Sequence, residues 1–403
     1  MSSSSAVADM NTILTQEQKT QLDQFQPMWK IVLTQFFEHR AAVVGLIVIS
    51  VFIIMALSAP LISLVTGLDP ETQNAIHRYV PVGTVVTISQ DQRDDMLTKF
   101  LKEHSAEAAI IHQELLAKNL ITAPVIEDGL HEIISKEPSE ALDILRPLTI
   151  PEVSSLQKLI SQMTVKHWLG TDELGRDVFI RLVYGTRVSM GVGILVALTS
   201  SIIGLLIGAM AGYHGGMIDT ALMRITDSLL SLPILPIQIV IAAIDMNKIP
   251  WLGQFIGSAN QSMYKLVFIL VLFSWMTVAL LVRGSILSLR EREFILAAKT
   301  LGATDTTIIF RHMFPNVIAP MLVSVTLGVG ESILWEAALS FLGLGIQQPT
   351  PSWGNMLFNA QDLMTEAPFL AILPGLLILA TTISFNYLGD GLQDAIDPKA
   401  IRR

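Results

Sequence analysis

Two acidic residues lie inside a long apolar stretch, where a charged side chain needs a specific partner. Glu331 and Glu336 fall within the run from Asn316 to about Gly345. A charged group at the centre of a membrane helix costs about 2.5 to 3.5 kcal/mol on insertion scales, so both carboxylates are expected to face the protein interior or water. Five residues correspond to about 140° around a helix. The sequence therefore predicts Glu331 and Glu336 as lining candidates for a polar path, with an interhelical contact as the alternative for each.

Other reactive chemistry is missing from the sequence. The chain has no cysteine, which excludes disulfides, thiolate metal sites and a cysteine nucleophile. It contains neither a Gly-x-x-x-x-Gly-Lys-Ser/Thr phosphate loop nor an acidic metal cluster, so no nucleotide hydrolysis by this chain is expected. His104, His112 and His131 do not form a His-Glu-x-x-His pattern. We predict no catalytic residue, no metal and no cofactor in this chain.

The composition indicates a membrane protein. Of the 403 residues, 51% are hydrophobic and 15% charged, and the mean hydropathy is +0.55. Soluble domains are about 25% charged, so much of this chain is expected to face lipid. The net charge of −9 with 26 Lys and Arg residues argues against nucleic-acid binding, which needs clustered positive charge.

Six stretches are long and apolar enough to cross a bilayer as helices, which takes about 20 residues each. The third is interrupted by two prolines, and a kinked helix is expected there. The second is rich in small residues and is expected to be a closely packed inner helix. In chain order they are Ala41 to Leu68, Val188 to Tyr213, Asp219 to about Ile244, Leu266 to Val282, Asn316 to about Gly345, and Pro368 to about Leu388.

The distribution of Lys and Arg predicts the orientation of these spans. Five basic residues fall between the fourth and fifth spans, and three follow the sixth, whereas Gln347 to Ala367 has none. Both termini and the loop from Arg283 to Arg311 are therefore expected in the cytoplasm. The predicted divisions are a tail at 1–40, a first span at 41–65, an outer insertion at 66–165, an interfacial segment at 166–187, a core at 188–390 that contains a cytoplasmic loop at 283–315, and a tail at 391–403.

The outer insertion is acidic and has helical periodicity. Residues 66–165 contain 15 acidic and 8 basic side chains, which accounts for most of the negative charge of the chain. Apolar residues recur at three and four spacing in Asp91 to His104, Ala106 to Leu120, and Glu137 to Leu148, which predicts a small, mostly helical subdomain. It is either a spacer or a docking surface for an outer partner, and the spacing does not decide between them.

The loop after the fourth span has the features of a rigid two-armed element. Glu291 to Leu301 is expected to be a short helix, and Gly302 can adopt the left-handed conformation that ends it. Asp305 is expected to cap a second helix, Thr306 to Met313. Pro315 is expected to prevent simple continuation of that helix into the fifth span.

Residues 291–316 also resemble the coupling loop of ABC importer permeases. Ala297, Ala298, Gly302 and Pro315 match the family pattern at the correct spacing. The chain departs from it at three positions, which are Leu296, His312 and Phe314. In that family the loop sits in a cleft of the ATPase subunit and transmits ATP-driven closure. The resemblance thus implies an ATPase-coupling set consisting of Glu293, Ala297, Ala298, Gly302, Ala303, Phe314 and Pro315.

A second stretch indicates which branch of these permeases the chain resembles. Residues 167–189 look like the signature of the dipeptide, oligopeptide and nickel branch, and further matches occur at 336–345, 349–355 and 389–398. The resemblance implies an all-α membrane fold of the type I permease kind with six spans, placed in the bacterial inner membrane. It also implies transport of short peptides or related solutes, and four kinds of partner: a second homologous permease, one or two ATP-binding subunits that hold ATP and Mg²⁺, an extracytoplasmic solute-binding protein, and lipid.

Several residues receive structural interpretations. Val178 to Arg187 is expected to be an interfacial amphipathic helix with Arg181 and Arg187 in water, preceded by Thr171 or Asp172 as its cap.

Four other residues are also interpreted structurally. Arg224 and Asp227 are three residues apart and can pair with each other. Trp353 and Tyr387 are interpreted as anchors at the membrane interface.

Two other functions remain open at this point. An ion-driven secondary transporter is supported by the two intramembrane glutamates, but it leaves the loop match without a role and no internal repeat is evident. A membrane-anchored enzyme would use the histidines of the outer insertion, where no ligand spacing supports it.

Overall fold

The computed structural model describes residues 28–74, 77–88, 90–148, 150–161, 163–244, 261–358 and 360–396. The predicted tails at 1–40 and 391–403 lie partly outside these ranges. The elements in chain order are α1 (Met28–Glu38), α2 (Arg40–Thr66), β1 (Thr84–Thr87), α3 (Gln90–Glu103), α4 (Ser105–Ala117), α5 (Ile126–Ile134), α6 (Pro138–Leu145), α7 (Val153–Ser161), β2 (Thr164–His167), α8 (Val178–His214), α9 (Gly216–Leu230), α10 (Ile234–Ala243), α11 (Gln261–Arg290), α12 (Glu293–Thr300), α13 (Asp305–Phe341), α14 (Trp353–Met356), α15 (Ala360–Leu363) and α16 (Phe369–Ile396).

The chain divides into two compact units, each described by itself. The membrane unit comprises residues up to Ser58, Gly185–Asn359, and Leu373 onward. The insertion unit comprises Ala59–Tyr184 and Ala360–Ile372.

The insertion unit has its own helical core. Helices α3 to α7 enclose apolar side chains that are almost fully buried, among them Ile111, Leu115, Leu130, Ile133, Leu145, Leu156 and Ile160. Three of these helices, α3, α4 and α6, lie over the stretches in which the sequence shows helical periodicity. Burial of this many apolar side chains supplies the main driving force for folding of the unit.

A two-stranded antiparallel sheet closes the insertion unit, which was predicted to be mostly helical, and the predicted all-α class of the chain does not include this sheet. Strands β1 and β2 pair with Thr84 opposite His167 and Val86 opposite Val165. Because β1 precedes the five helices and β2 follows them, the sheet brings together the two points at which the chain enters and leaves this subdomain. Four-residue strands give too weak a periodic signal to be recognised from sequence.

Among the described residues, five helices are long and apolar enough to cross a membrane, namely α2, α8, α11, α13 and α16. A sixth crossing exists if α9 and α10 count as one span. These two helices meet at an angle of 83°, and Pro233 lies at the break. The predicted kink is therefore a full break, since proline cannot donate the backbone hydrogen bond that continues a helix.

Helix α8 differs from its prediction because the expected interfacial helix and second span form one helix of 37 residues. Arg187 is exposed as expected, but Arg181 is only 1% exposed, so its predicted position in water is wrong. The close packing expected from the small residues of this helix is confirmed. A Cβ atom at Gly204 would lie 2.6 Å from that of Val278 in α11, a separation that leaves room only for glycine.

Candidate functional site

The loop between α11 and α13 has the predicted two-armed geometry. Helix α12 covers Glu293–Thr300. Gly302 follows its end, and the φ of +82° at this glycine lies in the left-handed region. The amide of Ala303 donates to the carbonyl of Ala298 at 3.1 Å, which satisfies one of the last carbonyls of the helix. A residue with a Cβ atom is disfavoured at this φ, so the glycine sets the angle between the arms.

The second arm departs from its prediction at both ends. Thr304, rather than Asp305, caps α13, because its hydroxyl accepts from the amide of Thr307 at 3.4 Å. Pro315 does not interrupt the helix. A π-helical stretch from Ile308 to Met313 precedes it, and its wider turn accommodates a residue that lacks an amide proton. The second arm and the fifth span are consequently one continuous helix.

The two arms are attached to the membrane unit by packing and by a hydrogen bond. Ile295 of α12 and Ile308 of α13 are buried in one cluster with Val282 of α11. The hydroxyl of Tyr213, at the end of α8, donates to Oδ1 of Asp305. Three long helices, α8, α11 and α13, therefore meet at this segment.

The same segment exposes large apolar side chains among charged ones. Four large hydrophobic side chains are between 46% and 87% exposed, which are those of Phe294, Leu296, Leu301 and Phe310. Of the residues proposed from sequence, Glu293, Ala297, Gly302 and Pro315 are exposed, whereas Ala298, Ala303 and Phe314 are half-buried. We name the four exposed side chains of Phe294, Leu296, Leu301 and Phe310 the apolar docking face. Such an exposed patch is typical of a protein interaction site.

A cavity of about 380 Å³ lies within the membrane unit. Helix α13 lines it with a stripe from Pro320 to Trp335 at three and four spacing, which corresponds to roughly 22 Å of helix. The remaining walls come from α8, α9, α10, α11 and the end of α16. Its volume falls in the range of about 300 to 1,000 Å³ that small-molecule sites occupy.

The two intramembrane glutamates have different surroundings. Glu331 lines this cavity, where its Oε1 atom accepts from the indole nitrogen of Trp335 at 3.4 Å. Glu336 does not line it and is completely buried. Its carboxylate accepts hydrogen bonds from the hydroxyls of Ser189 at 3.0 Å, Ser340 at 2.8 Å and Ser352 at 2.9 Å. Glu336 therefore forms a contact between helices, which was the alternative given for both glutamates.

Trp353 belongs to the same buried structure, so its prediction as an interface anchor is wrong. Its side chain is fully buried and its amide donates to Ser189 Oγ at 3.1 Å. The indole packs edge-on against Phe52 with ring centroids 5.8 Å apart. Tyr387, by contrast, is 42% exposed.

Four charged residues of the signature at 167–189 are buried in the insertion unit, namely Asp172, Arg176, Asp177 and Arg181. Asp172 Oδ2 accepts from Arg176 Nε at 2.7 Å and lies 3.3 Å from Arg181 Nε. Asp177 caps α8 by accepting from the amide of Ile180 at 3.0 Å, so the predicted caps Thr171 and Asp172 are wrong.

The opposite oxygen of the same cap, Asp177 Oδ2, lies 2.7 Å from Nδ1 of His167. Burial, and secondarily the charge of His167, lowers the pKa of the neighbouring His77.

An ion pair that sequence reasoning missed joins α9 to α11. Arg283 donates to both carboxylate oxygens of Asp219, with distances of 2.5 and 2.7 Å. Arg224 and Asp227 do not form an ion pair within the part of the chain that the structure describes. Sequence spacing favours partners on one helix, whereas this bidentate pair lies 64 residues apart.

Comparison with known families shows to which family the chain belongs. The model of the inner membrane component of binding-protein-dependent transport systems matches residues 204–402, and that of the N-terminal transmembrane domain of oligopeptide transport permease C matches residues 27–81. A dipeptide transport system permease protein of Alkalihalophilus pseudofirmus is 42% identical over 236 residues, which are 59% of this chain and 73% of the relative. The chain belongs to the binding-protein-dependent transport permeases.

Two further relatives of this permease are named for glutathione transport and for dipeptide transport. A glutathione transport system permease protein of Pectobacterium atrosepticum is 43% identical over 233 residues, covering 58% of this chain and 73% of the relative. A dipeptide transport system permease protein of Bacillus subtilis is 38% identical over 263 residues, covering 64% and 78%. The predicted resemblance to the peptide branch of ABC importer permeases is therefore confirmed.

The matched ranges locate the described features of the permease. The two-armed segment, the cavity-lining stripe of α13 and both glutamates lie within residues 204–402. Helices α3 to α7 lie between the two matched ranges.

Proposed function

We propose that this permease forms half of a translocation pathway for short peptides or related solutes, driven by ATP that separate subunits hydrolyse. The observation that carries the proposal is the two-armed segment, with its apolar docking face outward and its inner side packed on the membrane helices. The names of the relatives, which include dipeptide and glutathione transport systems, support the solute class.

The segment has the geometry of a lever between an ATPase and the spans. The apolar docking face supplies the contact area, because binding of an ATPase cleft would remove those side chains from water. Glu293, Ala297, Ala298, Gly302 and Ala303 shape the first arm and its turn. Phe314 and Pro315 lie where the second arm continues into the membrane-spanning part of α13. Movement of the docked segment then reaches α8 through the hydrogen bond between Tyr213 and Asp305.

The proposed topology has six spans, with α9 and α10 as one broken span and both termini in the cytoplasm. In this arrangement the insertion unit lies outside the cytoplasm between the first two spans. Its five-helix core and its closing sheet support an ordered subdomain. We assign it to contact with an extracytoplasmic solute-binding protein.

The proposed assembly contains this chain, a second homologous permease, one or two ATPase subunits that bind ATP and Mg²⁺, and the solute-binding protein. Within the described ranges no group of three or more His, Asp or Glu side chains is arranged to hold a metal ion. We assign nucleotide and magnesium binding to the partner subunits because the chain belongs to the permease family and its sequence lacks the phosphate loop.

The test is native co-purification followed by reconstitution. The tagged chain is extracted in mild detergent, its partners are identified by mass spectrometry, and uptake of labelled dialanine is measured in proteoliposomes with and without ATP. Recovery of a second permease and an ATPase, with uptake that requires ATP, is the expected result. Uptake that follows an ion gradient in the absence of ATP and of any ATPase would instead establish secondary transport.

A further inference from the structure

The cavity of the membrane unit has an unusual set of polar groups. Glu331 is the one charged side chain among the described residues that line it. Gln238 and Ser200 also line it and are each 2% exposed. Neither the Oε1 atom of Gln238 nor the hydroxyl of Ser200 has a hydrogen-bond partner. An acceptor and a hydroxyl that are buried without partners destabilise a protein unless a bound molecule satisfies them.

The three groups complement different parts of a peptide backbone. A carboxylate attracts an ammonium group, an amide oxygen accepts from a backbone N–H, and a hydroxyl can donate to a carbonyl or carboxylate oxygen. The surrounding walls include Leu230, Ile234 and Phe273, which suit apolar side chains of varied shape. An anionic head group finds no Lys or Arg among the described lining residues.

We infer that this cavity is a peptide-recognition site within the permease itself, in which Glu331 holds the α-ammonium group while Gln238 and Ser200 bind the adjacent peptide unit. The inference rests on the proposed function and adds the recognition of a free N-terminus to it. Because all three groups address the backbone, the site selects for a free α-amine and tolerates many side-chain sequences. It discriminates against peptides whose amine is blocked.

Equilibrium binding to the purified complex tests this site directly. The complete complex, without solute-binding protein, is placed in lipid nanodiscs, and binding of radiolabelled dialanine and N-acetyl-dialanine is compared. Wild type is expected to prefer dialanine by about tenfold, the change in affinity expected from one hydrogen bond to a charged group. Glu331→Gln is expected to remove this preference, and Glu331→Asp to restore part of it.

A variant that is expected to gain preference for dialanine is also needed, because misfolding could explain a loss of preference but not a gain. Gln238→Glu places a second carboxylate in the cavity at nearly unchanged size, so the preference for dialanine is expected to increase. Glu140→Gln removes a carboxylate from the exposed surface of the insertion unit and serves as the matched control with an unchanged preference.

The outcomes separate this inference from the proposed function. Equal binding of the two peptides by wild type, or an unchanged preference in Glu331→Gln, would overturn the peptide-recognition site. ATP-driven dialanine uptake by the same complex, reconstituted in proteoliposomes, would then still support the proposed function. Absence of that uptake would reject the proposed function itself.

Discussion

The hydroxyl of Ser189 in α8 lies 3.0 Å from Oε2 of Glu336 in α13, and this bond joins two membrane helices through a fully buried carboxylate. Ser340 and Ser352 donate to its other oxygen, so three separate chain segments share one acceptor group. Glu331, only five residues earlier, faces a cavity. Two carboxylates on one helix thus have different surroundings because different segments pack around them.

Replacement of Glu336 is expected to destabilise the permease. Glu336→Leu leaves buried hydroxyls without an acceptor, and each such group costs about 1 to 3 kcal/mol. We expect the midpoint temperature of unfolding, measured by tryptophan fluorescence on the detergent-purified protein, to fall clearly in Glu336→Leu and less in Glu336→Gln. Glu331→Gln is the matched control variant. Its unfolding temperature is expected to be unchanged, because the Glu331 side chain is exposed. Equal losses at both positions would argue against the buried serine network.

The turn at Gly302 is expected to control association with the ATPase. Gly302→Pro cannot adopt a φ of +82°, because the proline ring holds φ near −65°. We expect the variant to insert into the membrane but to retain about tenfold less ATPase in co-purification. Gly302→Ala should show a smaller loss, since a left-handed residue with a Cβ atom costs about 1 to 2 kcal/mol.

Gly284→Ala provides the control for these glycine variants. Gly284 lies within α11, and a Cβ atom there would meet nothing within 4 Å. Normal ATPase association is expected in this variant. Normal association and transport in Gly302→Pro would contradict the coupling assignment.

The hydrogen bond between Tyr213 and Asp305 is expected to transmit motion rather than to bind the ATPase. Tyr213→Phe removes the donor while keeping the ring, so ATPase retention should be unchanged. Transport per ATP hydrolysed should fall by up to about tenfold, as for a lost hydrogen bond to a charged group. Tyr264→Phe, at an exposed tyrosine of α11, should leave this ratio unchanged. A parallel loss of ATPase binding in Tyr213→Phe would show that the bond maintains the docking surface instead.

The insertion unit is expected to loosen locally in acid. The amide of Thr122 donates to Oε2 of Glu132 at 3.0 Å, and this bond lowers the pKa of Glu132 below its usual 4.5. A carboxylate with a lowered folded pKa contributes stability above its unfolded pKa and loses it as pH falls through the folded pKa. Limited proteolysis of the intact protein should therefore show increasing cleavage around Thr122 below about pH 4.5.

Glu132→Gln should show this susceptibility already at neutral pH, with little further change on acidification. Glu127→Gln, on the same helix, should behave like wild type. A wild-type cleavage rate that does not change between pH 7 and pH 3 would refute the role of Glu132.

The sequence anticipated those features that depend on local chemistry. Apolar runs located the membrane helices, although α8 and α13 begin well before the predicted starts of their spans. Gly302 ended α12 because few other residues adopt a left-handed φ. The same local reasoning failed where a distant group competed. Asp305 binds Tyr213 instead of capping α13, and Asp219 pairs with Arg283 from another helix.

By itself, the sequence determined that the chain is a helical membrane protein with a two-armed loop and an acidic insertion, since hydropathy, charge and glycine geometry are properties of neighbouring residues. Only the tertiary structure decided which glutamate faces a cavity, that Trp353 and Arg181 are buried, and that Pro315 continues a helix. Those outcomes depend on contacts between segments far apart in the chain, such as Ser189 with Glu336. The surroundings of a buried polar group are set by which helices pack around it, and periodicity along one helix does not specify them.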